Sequence, residues 1–422
     1  MKRTAPLIIA LIASLSCVFA QDIPDFIQIA GKVTDGANGK PVHYASVSLA
    51  GTDIANVSNP EGLFSLKLDP RTSADAIVTI SHLGYAAVTL KLSDFDGYTL
   101  NNPLKIKLLP ISLTLDPALI RAQDPLELMR AALYKIKQNY PTEHVGMTAF
   151  YREMVKKGNS KYLTMNEAVL EIDKAPYGSF RSDRVGILKG RGSQNYDSTD
   201  TLFIKYQGGV VSIMQIDQAK NPFAIVNIQD IGTYYKFTME PAQMLDSRMY
   251  YVLSFNQDKY VEDILMRGRV FIDSESLAIG RVEMNMNVEG RADAAQIFVL
   301  KRPQDTKFEV ESADYVVNYK FSGGKWYYDY ARAEVKFKTR KKRSLFSNHY
   351  SVMSEIAITD HLNNVPRIEN DARIKFRDQM TEKVSAFLDE RFWENYNVIE
   401  PDASIDAIIK KIVKQLKKYN LD

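Results

Sequence analysis

The chain has 422 residues, 45% of them hydrophobic and 25% charged, the composition of an ordinary folded protein of two or three domains rather than a disordered one. Its formal charge is +3 and becomes still smaller if Lys2 and Arg3 leave with a leader, too balanced for a nucleic-acid partner. The 23 tyrosines favour β-structure.

The chain opens like an export signal. Lys2 and Arg3 form a positive start, Leu7–Val18 is apolar but too short to span a membrane permanently, and Val18-Phe19-Ala20 fits a small-residue cleavage site before Gln21. A secretory signal peptide over 1–20 is expected. The single cysteine, Cys17, lies inside it. Lipidation at Cys17 is the alternative to cleavage after Ala20, but Ser14-Leu15-Ser16 is a poor lipobox. After cleavage no thiol remains for a disulfide or for catalysis. No later stretch is apolar enough to predict a membrane-spanning helix.

Residues 21–110 read as short strands separated by turns. Ala45, Val47 and Leu49 alternate with smaller or polar residues, as do Phe64, Leu66 and Leu68. Asp35-Gly36 and Asn38-Gly39 suit tight turns, and Asn56, Ser58, Asn59, Pro60, Glu61 and Gly62 read as a polar turn. Ile77–Ile80 and Val88–Leu92 add strands, giving a small β-sandwich. The runs Gly31–Asp35, Pro41–Val47, Asn59–Leu66 and Ser81–Tyr85 resemble the carboxypeptidase-regulatory-like domain. That resemblance implies a transthyretin-like, seven-stranded sandwich, a front module of secreted and outer-membrane proteins of Gram-negative bacteria. It therefore implies the periplasm or the outer-membrane periphery as the location.

Residues 111–146 read as a linker and a helix. The helix is expected over Asp124–Asn139, with Asp124 as N-cap, Pro125 in the first turn, Glu127 completing a capping box, and Leu126, Met129, Ala132, Leu133 and Ile136 on one face. Residues 147–360 change to a period of two. Strands are expected at Ala149–Val155, Lys161–Ile172, Met266–Ile272, Leu277–Val288, Ala313–Phe321, Lys325–Lys338 and Ser351–Thr359, with Ser322-Gly323-Gly324 as a hairpin turn. The spacing predicts a long loop over Arg181–Thr201 and a helical turn over Ala242–Asp246. Residues 361–422 read as a helical segment, with covering helices at Asp378–Asn395 and Asp402–Tyr419. The fold class is thus mainly β: a sandwich followed by a large antiparallel sheet or open barrel with covering helices. Gly268–Glu283 resembles the strand–turn–strand of periplasmic lipoprotein-carrier and lipoprotein-sensor barrels, and the Phe392–Tyr396 segment looks like the C-terminal region of exported proteins with the same two halves.

Few patterns in the sequence carry chemistry. A zinc carboxypeptidase needs His and Glu three residues apart, and none of the five histidines (His43, His82, His144, His349, His361) has that neighbour. His361 reads as a loop residue. Ser193 lies in Gly190-Arg191-Gly192-Ser193 without a nucleophile-elbow pattern, and Gly186, Gly190 and Gly192 read as a flexible loop rather than a phosphate loop. Glu167 and Glu171, or Glu262 and Asp263, read as solvated carboxylates, and Asp94 and Asp96 as a polar turn. Tyr234-Tyr235 and Trp326-Tyr327-Tyr328 read as cross-strand packing. The strongest charge run is Lys336, Lys338, Arg340, Lys341, Lys342 and Arg343, whose first three members share a strand face. In an exported protein its anionic partner would be a lipid headgroup or lipopolysaccharide; the blander reading is a solvated strand end. The cationic last helix allows peripheral membrane association in the same way. No catalytic, metal or cofactor site is expected. The leading expectation is a non-enzymatic envelope protein that binds another envelope protein or lipid. The alternatives are a lipid or lipoprotein carrier with an open apolar sheet, and an exported hydrolase with a dispersed site.

Overall fold

The computed structural model describes residues 26–111, 124–158, 161–194, 209–224, 228–245, 248–298, 304–370, 372–376, 378–384 and 392–419. The expected leader with Cys17 lies outside the described residues, as does most of the expected linker before the first helix.

The front module has seven strands: β1 (Ile27–Asp35), β2 (Ser46–Leu49), β3 (Ala55–Val57), β4 (Leu63–Leu68), β5 (Ile77–Ser81), β6 (Val88–Lys91) and β7 (Leu104–Leu108). They form two sheets in the orders β4-β1-β7 and β3-β2-β5-β6. The alternating apolar residues face each other across them, so Val33, Val47, Phe64, Leu66, Val78 and Ile80 are fully buried. The polar turn expected at Asn56–Gly62 begins later. Asn56 lies in β3, buried, its side-chain amide donating to the carbonyls of Ser65 and Val398. The turn proper is built by Asn59, whose Oδ1 accepts from the Glu61 and Leu63 amides.

Helix α1 (Pro125–Tyr134) starts where expected, with Asp124 capping the Leu126 amide at 2.8 Å. Glu127 does not close a capping box; it pairs with Arg130. The helix breaks at Lys135 and resumes as the single turn α2 (Ile136–Asn139).

The rest of the described β-structure is one ten-stranded antiparallel sheet, in the order β10-β9-β8-β17-β16-β15-β14-β13-β12-β11. Its strands are β8 (Val145–Lys157), β9 (Lys161–Lys174), β10 (Arg184–Gln194), β11 (Tyr235–Leu245), β12 (Arg248–Gln257), β13 (Met266–Asp273), β14 (Ile279–Met286), β15 (Thr306–Ser322), β16 (Lys325–Lys341) and β17 (Asn348–Leu362). Two meanders, β8–β10 and β11–β17, are joined by pairing β17 with β8. The sheet does not close: β10 and β11, consecutive in the chain, are its opposite edges.

Three expectations are corrected here. The glycine-rich part of Arg181–Thr201 is not a loop but β10, paired with β9 from Arg184 to Gln194, and Ser193 lies in that strand. Its glycines serve close approach: a Cβ at Gly190 would collide with Val384, and one at Gly192 with Asn166 and Val384. Ala242–Leu245 is the end of β11, not a helical turn. His361 is in β17, opposite Met147, with its ring 3.4 Å from Asp53 of the sandwich.

Each face of the sheet is covered. On the core face lie α1, α3 (Val210–Gln215), α4 (Ile231–Tyr234) and α5 (Ala295–Phe298), whose apolar residues join one cluster with Tyr151, Leu170, Phe255, Phe271, Tyr328 and Val335. The outer face receives the sandwich and helix α6 (Ala403–Tyr419), whose Ile405, Ile408 and Ile412 pack on Met154, Met165 and Met353. Asp402 caps α6 through the Ile405 amide. The other expected covering helix, Asp378–Asn395, reduces among the described residues to a 3-10 turn at Met380–Glu382 and an irregular stretch at 392–395; residues 385–391 lie outside them. Met380 and Phe392, at the two described ends of this span, are buried.

Gly62 provides a test of the sandwich. It has φ +77°, and a Cβ there would collide with the Val33 carbonyl, whereas Gly39, at φ +72°, has open space around it. Gly62→Ala should cost more than about 2 kcal/mol and Gly39→Ala only about 1 kcal/mol, the strain of a left-handed residue alone. Urea unfolding of both variants checks the order; equal losses would remove the close-packing explanation.

Candidate functional site

The long hairpin β15–β16 and strand β17 carry the charge run that the sequence singles out. Strand alternation turns Val335, Phe337 and Thr339 to the core face, where they are buried, and Lys336, Lys338 and Arg340 outward. Lys341 ends β16, and Lys342 and Arg343 form the turn into β17. The Lys342 amide donates to the Asp305 carbonyl at 2.6 Å, and Arg343 has φ +72°. Leu345 and Phe346 follow at the tip, 94% and 83% exposed.

The turn borders an open cavity of about 790 Å³ between Gln304–Lys307 and Arg340–Ser344. A neighbouring hollow of about 140 Å³ is lined by Lys307, Glu309, Lys338, Arg340 and Ser347. Four residues of the run, Arg340, Lys341, Lys342 and Arg343, therefore share the larger cavity. Lys338 reaches the smaller one. Lys336 lines neither and leans toward Glu334, 3.6 Å away. Lys307 joins the site because the hairpin register sets it opposite Arg340; seen in sequence alone it is an isolated cation. Among the described residues, Lys307, Lys338 and Arg340–Arg343 enter no ion pair. Asp305 is the acid of the larger cavity, and its carboxylate accepts from Thr306 at 3.1 Å. Lys156, Lys157 and Lys161 stand around the adjacent β8–β9 turn, whose Gly158 amide donates to His349.

The densest ionisable clusters lie elsewhere and are closed. Across five strands of the outer face runs a row of opposite charges in direct register: Arg191 (β10), Glu167 (β9), Arg152 (β8), Glu355 (β17) and Arg332 (β16). Successive contacts are 2.8, 2.8, 3.0 and 3.5 Å. Arg152, Glu167 and Glu355 are buried. Burial alone would raise the Glu167 carboxyl, but the Arg152 and Arg191 guanidiniums hold it below its ordinary value. The expected solvated pair is thus wrong for Glu167, because the C-terminal segment covers it. Arg152 Nη2 donates to the Ile399 carbonyl at 2.8 Å, and Arg191 stacks on Trp393.

That covering segment, Glu394–Ala403, is clamped between the sandwich and the sheet. Asn397 exchanges hydrogen bonds with the Lys67 backbone at 2.8 and 3.1 Å. Asn56 and Asn59 donate to the Val398 and Pro401 carbonyls, Ser65 to Glu400, and the Ala403 amide to Glu61. On the core face, buried Lys174 lies 2.7 Å from Asp217 and 2.9 Å from Asp183, while Tyr177 and Tyr319 donate to Asp217. Burial would lower the Lys174 ammonium, but the two carboxylates raise it above its ordinary value. Every charged member has a partner, which is the arrangement of a structural pin rather than a reactive centre.

The histidines are dispersed. His82 is pushed down to about 4 by burial, helped by Arg281. His144 meets Asp173, and His349 meets Glu311. Among the described residues no group of three or more His, Cys, Asp or Glu side chains could hold a metal ion.

Comparison with known proteins reaches the front module. The family model described as a CarboxypepD_reg-like domain matches residues 29–109, the span of β1–β7. No curated protein matches the chain. Among solved structures it is similar to a DUF1329 family protein from Desulfovibrio piger ATCC 29098, with 12% identity over 56% of this chain and 94% of that one and a TM-score of 0.23. It is also similar to MucB, with 9% identity over 54% of this chain and 92% of that one and a TM-score of 0.20. Likenesses of this size carry no argument about function.

The charge row generates a stability prediction. Arg152→Met leaves buried Glu167 and Glu355 with one arginine each, Arg191 and Arg332, and should cost about 3 kcal/mol near neutral pH. A depressed folded-state pKa gives Glu167 a stabilising contribution that is present above its unfolded value, about 4.3, and lost as pH falls through the folded value. The gap between wild type and variant should therefore narrow below about pH 4. Urea unfolding across a pH series measures it; a gap independent of pH would rule out the ionic origin.

Proposed function

We propose that this chain is a non-catalytic, exported protein of the cell envelope, in which the sandwich serves as a docking brace and the basic rim of the large sheet is the binding surface. The observation that carries this reading is the set of cations at the β15–β17 end, Lys307, Lys338 and Arg340–Arg343, which enter no ion pair among the described residues, while buried Arg152, Glu167, Glu355, Lys174 and Asp217 are all paired. An excess of positive charge around a hollow raises the local concentration of an anionic partner and speeds its capture. The export-like leader and the front module, of a kind found in secreted and outer-membrane proteins, support the location.

The carrier reading would need the core face empty. That face is packed by α1, α3, Phe223 and α4, all contributing buried apolar residues, which weighs against it. The hydrolase reading has no open cluster of catalytic residue types to rest on among the described residues.

The test is binding of the purified full chain to isolated envelope membranes across a salt series, beside assays on peptide and glycan substrates. Binding at low salt should fade as salt rises. Exchange of Lys338, Arg340, Lys341, Lys342 and Arg343 for Gln should weaken it at least about tenfold, since each cation near an anionic surface contributes about 1 kcal/mol. Equal binding by wild type and variant, or turnover of a substrate, would sink the proposal.

A further inference from the structure

This inference rests on the binding surface proposed above and names its partner. We propose that the cavity between Asp305–Lys307 and Arg340–Ser344 seats the phosphate groups of an anionic lipid headgroup, while Leu345 and Phe346 enter the boundary of the acyl chains.

Three observations converge. The first is charge: Lys307, Arg340, Lys341, Lys342 and Arg343 face the cavity against the single carboxylate of Asp305, which already accepts from Thr306. Phosphate oxygens need several convergent cationic donors, and Arg340 and Arg343 offer forked ones. The second is size: about 790 Å³ is the volume of a small-molecule site, enough for a headgroup with more than one phosphate. The third is the tip. Leu345 and Phe346 stand nearly fully exposed one residue beyond four consecutive cations, Arg340–Arg343. Bulky apolar side chains beside a cationic cluster are the pattern of interfacial anchoring, where the charges meet headgroups and the apolar groups leave water. A soluble phosphate would use the cations alone and leave these two residues in solvent.

The turn is held ready for this. The Lys342 amide is tied to the Asp305 carbonyl, and Ser344 Oγ accepts from the Phe346 amide at 3.1 Å, so the cations and the apolar tip keep a fixed relation. Lys156, Lys157 and Lys161 on the adjoining hairpin widen the positive field toward a membrane plane.

The experiment is co-sedimentation of the intact chain with vesicles of phosphatidylcholine alone, or of phosphatidylcholine with phosphatidylglycerol or cardiolipin. Binding is expected only to the anionic vesicles and more strongly to cardiolipin, which carries two phosphates. Lys341→Gln/Lys342→Gln/Arg343→Gln and Leu345→Ser/Phe346→Ser should each weaken it at least about tenfold. Both variants alter exposed turn residues, and unchanged thermal unfolding will verify their folding. In Phe346→Trp, the emission should shift to the blue on vesicle binding. Envelope binding without vesicle binding would overturn the lipid partner and leave the proposed function standing, with an acidic protein as partner. Loss of both would overturn both. Vesicle binding that survives Leu345→Ser/Phe346→Ser and is displaced by inorganic phosphate would make this a site for phosphate alone and overturn the inference.

Discussion

Arg152 is buried where the parts of the molecule meet, and the architecture follows from what its charge requires. An unpaired buried guanidinium would cost several kcal/mol, so Glu167, Glu355 and the Ile399 carbonyl must all be in place around it. Those partners belong to β9, to β17 and to the C-terminal segment. One side chain thereby ties the two meanders at their seam and fastens the strap over them. Apolar residues at these positions could supply equal stability. What the ion row supplies in addition is register: a slip of one residue between β8 and β17 would turn Arg152 to the core face and strip Glu355 of its partner.

The second constraint is topological. Because β10 and β11 are consecutive yet occupy opposite edges, the chain between them must cross one face of the sheet. It crosses the core face, and Val210, Ile213, Met214, Phe223 and Ile231 fill that face on the way. Lys174 and Asp217 pin the crossing where it passes β9. A sheet that in outline could hold an apolar ligand is thus occupied by its own connection.

Much of the fold can be read from period and turn chemistry. The alternation in β8, β9 and β13–β17, the Gly323-Gly324 hairpin, the Asp124 cap and the apolar face of α6 are local patterns with local causes. The misreadings share another cause. Gly186, Gly190 and Gly192 look like a flexible loop because glycine's local meaning is freedom, but here Val384 and Asn166 leave no room for a side chain at the last two, and Ile368 and Glu171 crowd the first. Asn56 looks like a turn residue because its partner, Val398, is 342 residues away. Glu167 looks solvated because nothing local announces Arg152 or the strap. At the rim, a contiguous run discloses Arg340–Arg343, whereas Lys307 enters only through the register of β15 against β16. What is set by neighbours in sequence is visible there; what is set by neighbours across strands needs the fold.

The strap has a consequence for the order of assembly. Glu394–Ala403 follows every strand of the large sheet in the chain, yet it forms the layer between that sheet and the sandwich made at the other end. The sandwich can fold as soon as it emerges, but its contacts with Asn397, Val398 and Pro401 must wait for nearly three hundred further residues, on the order of half a minute of synthesis. During that interval Asn56 and Asn59 have only their partners within the sandwich, Ser65, Glu61 and Leu63, and the outward side of the Arg152 row stays uncovered. The first part made is the last to be seated, and the length of the polypeptide sets that delay however fast either domain folds.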